Sequence, residues 1–426
     1  MSDLLFLSAC QLASGIRERR FSAVEVLDAY LNQIAQHNPT LNAIVTLDEV
    51  TARRRAQAAD EAISCGNIWG QLHGVPFTIK DYIATAGMRT TSSYPPLANY
   101  IPERDATVVA RMRGAGAILL GKTNLPKLSQ GFQTDSPLFG RTNNPWNLSY
   151  TCGGNSGGSA AALAAGLSPL DIGGDIGGSI RIPAHFCGVY GFKPTEDRVS
   201  NAGIIVRDAP FQSVRHLRVL GPIARSVEDL RLCLDIIEGP DGRDWQVQSA
   251  PPESVESPAF KTYRFAWTDD FGVTVTADTR LTLEYLAGIL EAQGCQVEYC
   301  RPDKLDLTMA LRTYGQILGS QLGAFEPMLL RAIVPLLRVA LLPKLAQDPL
   351  GQGILQGVQF TFRQYAAALT QQEVFITQLE AFFQNWDAWL CPVACGSAFP
   401  HLPVTRFWMS GCVDFGLTSS LKKRLE

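Results

Sequence analysis

The segment from Gly153 to Gly191 is so dense in glycine and other small residues that it strongly limits how the chain can fold. Glycine allows backbone conformations with positive φ and lets neighbouring chain segments approach closely. Between the glycines, Ser159 to Ala165 carries only small or apolar side chains, which predicts a short helix packed closely on all sides. Two glycine-rich loops therefore flank one buried helix, and we expect these loops to lie near each other.

Helix and strand patterns alternate along the rest of the chain. Ser22 and Glu25 predict a capping box at the start of a helix over 23–37, and Asn38-Pro39 is expected to end it. This alternation is typical of an α/β fold in which helices cover a central sheet. The other predicted helices are 49–64, 105–115, 277–292, 304–319, 325–345 and 357–386, and the predicted strands are 74–81, 117–120, 167–172, 263–268, 296–299 and 388–392.

Composition excludes several classes of protein. Hydrophobic residues make up 46% and charged residues 18% of the chain, which argues against disorder. With a net charge of −3 and no long basic run, nucleic acid is not an expected partner. The apolar segment 328–345 is interrupted by Arg331 and Arg338, so a buried or partly exposed helix is favoured over a membrane contact, and no membrane span is expected.

The 10 cysteines are scattered, and no C-x-x-C or histidine cluster is present. We interpret the cysteines as reduced thiols of a cytoplasmic protein, and no metal or other cofactor is expected. A phosphate-loop pattern at Gly116 to Thr123 is interpreted as a decoy. Its interior is an apolar run that favours a strand, whereas a phosphate loop needs a turn followed by a helix.

Lys80 and the run Gly177-Gly178-Ser179, taken together, suggest a base and a nucleophile. Lys80 ends an apolar strand, where burial would lower the pKa of its amine and allow it to act as a base. Alone, such a lysine is better explained by a side chain that reaches solvent. The glycine run is compatible with a tight turn, and also with a nest of N–H groups beside a nucleophilic hydroxyl.

Three motifs resemble those of the amidase signature family: 74–81, 153–161 and 175–183. The resemblance is continuous from about residue 9 to 200, and it weakens towards residue 392. It implies a single α/β domain, residues 1–426, around a twisted mixed β-sheet, with the signature core at about 65–200. The Pro/Ser/Glu-rich stretch 250–258 is the one candidate boundary, interpreted as a surface loop.

The resemblance also implies an activity and a set of site residues. The family hydrolyses carboxamide C–N bonds, or transfers the ammonia released, and it needs no cofactor. Lys80 corresponds to the base and Ser179 to the nucleophile that becomes acylated. The backbone N–H groups of the oxyanion hole correspond to Ile176, Gly177, Gly178 and Ser179.

One position departs from the family pattern at the site itself. Where the family has a serine that passes the proton, this chain has Asn155. An amide separates its donor nitrogen from its acceptor oxygen, so Asn155 is a poor relay. We therefore expect a slow enzyme unless Ser156 or a water molecule substitutes for the relay.

The C-terminal part, 390–426, also departs from the family pattern, and it looks shortened or replaced. Three functions stay open at this point: an amidase acting on a small linear amide, an inactive homologue that binds a carboxamide or a partner protein, and the ammonia-producing subunit of an amidotransferase. Whether the protein forms a homodimer is also open.

Overall fold

A computed structural model of the chain describes residues 2–205, 216–249, 259–323 and 348–403. The chain divides into two compact units, Met1–Pro251 with Ala398–Thr405, and Pro252–Ser397 with Arg406–Glu426. The division falls inside the Pro/Ser/Glu-rich stretch that the sequence marked as its candidate boundary. A single domain over the whole chain stays a prediction, and the predicted helix 325–345 lies outside the described residues.

A six-stranded mixed sheet forms the centre of the first unit, in the order β1-β3-β2-β8-β10-β9. Strand β2 runs parallel to β3 and β8, and β10 runs antiparallel to β8. The predicted α/β fold with a central mixed sheet is confirmed. The strands of this unit are β1 (Ile44–Leu47), β2 (Pro76–Lys80), β3 (Ile118–Thr123), β4 (Asp135–Ser136), β5 (Gly140–Arg141), β6 (Asn143–Asn144), β7 (Asn147–Thr151), β8 (Leu170–Asp175), β9 (Tyr190–Gly191) and β10 (Val219–Ala224).

Helices pack around this sheet, and a large cluster of buried apolar residues lies in this unit. The helices are α1 (Ser2–Leu5), α2 (Ala9–Arg17), α3 (Ala23–Leu41), α4 (Glu49–Ser64), α5 (Thr107–Gly114), α6 (Gly157–Ala164), α7 (Arg181–Cys187) and α8 (Val227–Ile237). Residues 157–163 of α6 are all buried, as the run of small side chains predicted. A side chain at Gly158 would lie 2.3 Å from the backbone nitrogen of Asn124, so only glycine lets α6 approach the end of β3 this closely.

The predicted start of α3 is confirmed, but its predicted end is wrong. The capping box of Ser22 and Glu25 is present, and the helix continues through Pro39 to Leu41. Asn38 does not stop the helix, and its side chain instead accepts hydrogen bonds from the N–H groups of Ala43 and Ile44, at 3.0 and 2.9 Å, in the segment that follows. Asn42 then ends the helix with φ 53°, a left-handed conformation that asparagine tolerates.

The second unit contains a parallel three-stranded sheet in the order β12-β11-β13. The helix predicted over 357–386 is present as Phe362–Phe383, which begins after the capping residue Thr361, and a separate helix ends at Gly357 before it. The strands are β11 (Arg264–Trp267), β12 (Gln296–Tyr299) and β13 (Ala388–Leu390), and the helices are α9 (Ala277–Ala292), α10 (Leu307–Gly323), α11 (Pro349–Gly357) and α12 (Phe362–Phe383).

Glycines let α10 and α11 pack at unusually short range. A side chain at Gly353 would lie 2.1 Å from the carbonyl oxygen of Arg312, and one at Gly319 would lie 2.3 Å from that of Ile354. Both contacts are with backbone atoms, which cannot rotate away as a side chain could. A larger residue at either position must therefore push the two helices apart.

We expect the substitution Gly353→Val to lower the free energy of unfolding by about 1–3 kcal/mol, because it overpacks this helix pair. Gly288→Ala in α9 is the matched control, since its added methyl group meets nothing within 4 Å. That control should stabilise the protein by about 0.5–1 kcal/mol through helix propensity. Urea unfolding followed by circular dichroism measures both changes, and equal effects of the two substitutions would contradict the packing argument.

The phosphate-loop pattern is a buried strand. Its lysine, Lys122, lies within β3 and is fully buried. The Lys122 amine donates to the carbonyl oxygen of Ile83 and to the hydroxyl of Thr85, the latter at 2.7 Å. These contacts occupy the amine inside the protein, which supports the interpretation of the motif as a decoy.

Two further predictions concern the cysteines and the membrane. The nine cysteines within the described ranges are free thiols. In those same ranges, no helix is both long enough and apolar enough to cross a membrane.

Candidate active site

Lys80 stands at the end of β2, a strand whose five residues are all buried between β3 and β8. Its amine donates hydrogen bonds to Oδ1 of Asn155 and to Oγ of Ser156, the latter at 2.9 Å. Burial lowers the pKa of Lys80 to about 7, and the charges of Asp175 and Asp171 only partly oppose this shift. The lysine is therefore close to neutral near physiological pH and can accept a proton.

Asn155 lies in the first glycine-rich loop, after a cis peptide bond from Gly154. Both ends of its amide are engaged, because Oδ1 accepts from Lys80 and Nδ2 donates to the carbonyl oxygen of Ser129. The loop itself is held against a neighbouring segment, since a side chain at Gly154 would lie 2.7 Å from the carbonyl oxygen of Gly131. Asn155 is thus fixed as a bridge between Lys80 and the segment that contains Ser129.

Ser156 connects Lys80 to the second glycine-rich loop. Its hydroxyl accepts from Lys80 and lies 3.3 Å from the carbonyl oxygen of Gly174, to which it can donate. Its backbone N–H donates to the carbonyl oxygen of Ser179 at 3.1 Å. Lys80, Asn155, Ser156 and Ser179 are therefore brought into one buried region.

The second glycine-rich loop leaves the sheet after Asp175, the last residue of β8. Oδ1 of Asp175 accepts from the N–H of Gly178 at 2.7 Å, and its Oδ2 accepts from the N–H of Ile180 at 3.0 Å. Arg181 adds an ion pair to the same carboxylate at 2.9 Å. Burial alone would raise the pKa of Asp175, but the hydrogen bonds and charge of Arg181, together with the two N–H groups, lower it.

This carboxylate determines which N–H groups of the loop stay available. The N–H of Gly178 is occupied by Asp175, although the resemblance had grouped it with the oxyanion donors. Over the part of the chain that the structure describes, no acceptor receives a hydrogen bond from the N–H of Ile176, Gly177 or Ser179. Unoccupied N–H groups of this kind can stabilise a developing negative charge. Ser179 itself is only 7% exposed.

Tyr82 and Asp171 both act on Lys80, Tyr82 through its ring and Asp171 through its charge. The Tyr82 ring centre lies 4.9 Å from the Lys80 amine, and a side chain at Gly174 would lie 1.7 Å from the Tyr82 hydroxyl, so only glycine fits there. Asp171 is fully buried and accepts from the hydroxyls of Thr78 and Thr123, at 2.7 and 3.1 Å. Burial raises the pKa of Asp171 to about 6. An acidic residue inside a buried strand is the signal that could have identified Asp171 from sequence.

Within the described ranges, no group of three or more His, Cys, Asp or Glu side chains is arranged to hold a metal ion. A buried amine with a lowered pKa, a hydroxyl next to a glycine nest and free N–H donors together meet the requirements of acyl transfer.

The chain is similar to proteins that are already known. A family model described as Amidase matches residues 25–414. A glutamyl-tRNA(Gln) amidotransferase subunit of Carboxydothermus hydrogenoformans is 45% identical over 242 residues, covering 57% of this chain and 49% of that protein. The chain thus spans about half the length of the curated relatives it matches.

Solved structures show the same similarity. The structure of 6-aminohexanoate cyclic dimer hydrolase is 28% identical with a TM-score of 0.72, covering 90% of this chain and 78% of that one. A bacterial aryl acylamidase belonging to the amidase signature enzymes is 25% identical with a TM-score of 0.78, covering 93% of this chain and 82% of that one.

Proposed function

The chain belongs to the amidase family, and from this premise we propose that it hydrolyses a carboxamide through an acyl-enzyme on Ser179, with Lys80 as the base. One observation carries the proposal. The buried amine of Lys80, with a pKa lowered to about 7, donates to the hydroxyl of Ser156. The backbone N–H of Ser156 in turn donates to the carbonyl oxygen of Ser179. Amide cleavage of this kind needs a nucleophile and a base that lie close to each other.

The reaction proceeds in two steps. In the first, Oγ of Ser179 bonds to the amide carbonyl carbon, the C–N bond breaks, and the proton lost by Ser179 leaves on the departing nitrogen. In the second, water attacks the ester, one of its protons passes to Oγ of Ser179 as the bond to Ser179 breaks, and the carboxylic acid is released. The N–H groups of Ile176, Gly177 and Ser179 stabilise the oxyanion in both steps.

Ser156 is the proposed proton carrier between Ser179 and Lys80. Its hydroxyl lies 2.9 Å from the Lys80 amine, so it can donate to the neutral amine while it accepts a proton through the same oxygen. The Asn155 amide cannot do this, because its oxygen and nitrogen are already bound to Lys80 and Ser129. Ser156 also has a competing contact with Gly174, so we propose that turnover is slow rather than absent.

A fluorophosphonate probe, which reacts with activated serine nucleophiles, tests the proposal directly. We expect one label per chain, located by peptide mass analysis on Ser179 and lost in Ser179→Ala. Ser168→Ala is the matched control, because the hydroxyl of this buried serine donates to the carbonyl oxygen of Leu170. Absence of labelling in a folded protein would favour the alternative, an inactive homologue that binds a carboxamide or a partner protein.

The lowered pKa of Lys80 predicts how the rate depends on pH. The base must be neutral, so the rate of labelling at Ser179 should rise about tenfold per pH unit below pH 7 and level off above it. An unshifted lysine would instead give a rate that still rises at pH 10. Labelling rates between pH 5 and 10 distinguish the two, and a midpoint near 10 would contradict a buried base.

The identity of 45% to an amidotransferase component supports a second candidate, in which the same chemistry releases ammonia from glutamine for a partner subunit. The two candidates differ in substrate rather than in mechanism. Hydrolysis of glutamine, measured as ammonia release and stimulated by co-expressed amidotransferase partner subunits, would support it. Activity on simple amides without stimulation by those partners would favour the stand-alone amidase.

A further inference from the structure

Arg218 is a buried cation beside the candidate active site. It is 5% exposed and lies directly before β10. Within the described residues, no side chain or carbonyl group accepts a hydrogen bond from its guanidinium. A buried charge is costly unless it is paired, so a guanidinium in this position calls for an anion.

Arg225, at the other end of β10, provides a comparison because its guanidinium has a structural role. Arg225 directly follows β10, and its guanidinium donates to the carbonyl oxygens of Leu163, Ser168 and Leu5, at 3.0, 2.8 and 2.7 Å. Its donors are used to join segments of the fold. No such bonds are made by Arg218 to the described part of the chain.

The backbone at Arg218 is held by contacts that do not involve its guanidinium. The N–H of Leu217 donates to Glu196 at 2.8 Å, and the carbonyl oxygen of Arg218 accepts from Asn201 at 3.5 Å. The next residue, Val219, pairs with Asp175 in the sheet. The segment therefore keeps its place without a charge at position 218.

The same pairing places Arg218 at the proposed acyl site. Because β10 is antiparallel to β8 and Val219 lies opposite Asp175, Arg218 stands level with the start of the loop 176–179. Burial is the main cause of the lowered pKa of Lys80, and the charge of Arg218 lowers it further. The charge of Arg218 also acts on the Tyr82 phenol, which lies against Lys80 and Gly174.

We propose that Arg218 binds a carboxylate of the substrate, so that the amide cleaved belongs to an acid carrying a second carboxylate, such as the monoamide of a short dicarboxylic acid. The inference rests on the proposed function, because it takes the region of Lys80 and Ser179 as the site of the amide. A planar guanidinium binds a carboxylate through two parallel hydrogen bonds, which are strengthened by charge and by the absence of water. The bound carboxylate would supply the anion that the described part of the fold lacks.

Calorimetric binding of succinamate and of its neutral counterpart succinamide tests the proposal. The measurement uses the full chain with Ser179→Ala, so that binding does not depend on turnover. We expect succinamate to bind about 10- to 100-fold more tightly than succinamide, from charge-assisted hydrogen bonds worth about 1.5–3 kcal/mol. Arg218→Met should remove this preference, and Arg218→Lys should keep part of it.

Arg225→Met is the matched control, expected to destabilise the fold but to leave the preference for succinamate intact. Equal affinity for the two probes in the parent protein, including no measurable binding of either, would overturn the assignment. So would an Arg218→Met variant that loses stability as Arg225→Met does and still prefers succinamate. Fluorophosphonate labelling reports separately on Ser179, so a failure of the proposed hydrolysis and a failure of the carboxylate site give different results.

Discussion

Asn155→Ser is expected to raise turnover on a small amide by about 10²–10⁴-fold, which is the typical contribution of a group that transfers protons in catalysis. A serine hydroxyl can accept from Ser179 and donate to Lys80 through a single oxygen. The present amide instead divides its two polar atoms between Lys80 and the carbonyl oxygen of Ser129. The measurement is kcat/KM for ammonia release from succinamate and succinamide, beside the parent protein.

Two controls locate the effect in the relay. Asn155→Ala removes the amide without supplying a hydroxyl, so it should not reproduce the gain. In the Asn155→Ser background, Ser156→Ala should cost little, whereas in the parent it should abolish the remaining activity, because there Ser156 is the proposed carrier. A gain with alanine equal to that with serine would mean that bulk, rather than proton transfer, limits the parent.

Lys80→Met is expected to lower kcat/KM by about 10²–10⁴-fold, because it removes the base and keeps an unbranched side chain in the same buried space. The same substitution also changes how the free energy of unfolding depends on pH. The unfolded chain holds a proton on Lys80 up to the ordinary pKa of 10.5, whereas the folded chain holds it only below about 7. Proton binding therefore favours the unfolded state at and below neutral pH, and this cost disappears as pH rises from 7 to 10.5.

Unfolding in urea at several pH values measures this cost. Relative to Lys80→Met, the parent should gain on the order of 4 kcal/mol between pH 7 and pH 10.5, since each pKa unit corresponds to about 1.4 kcal/mol. Lys122→Met provides a comparison, because burial also lowers the pKa of Lys122 but its amine bonds to Ile83 and Thr85, away from the site. A pH-independent difference between the parent and Lys80→Met would show that Lys80 is charged in the folded protein.

Much of the fold and the place of the site could be predicted from sequence, because both depend on local patterns. Small side chains alone predict the buried helix α6, since only a close-packed environment suits a helix with no large residues. The apolar run that ends at Lys80 likewise predicts β2, because apolar side chains favour a buried strand. Pro39 shows the limit, because the helix continues past this local stop signal and ends only at Leu41.

What only the tertiary structure decided is which polar groups share a partner. Asp175 occupies the N–H of Gly178, Ser129 holds the amide of Asn155, and Ser156 joins Lys80 to Ser179. Sequence motifs identify residues that lie near a site, and the alternation of side chains along a strand predicts which face of the sheet they occupy. Hydrogen bonds and the loss of water around a charge depend on atoms that are distant in sequence, so the lowered pKa of Lys80 and the burial of Arg218 emerge only when the strands of the sheet come together.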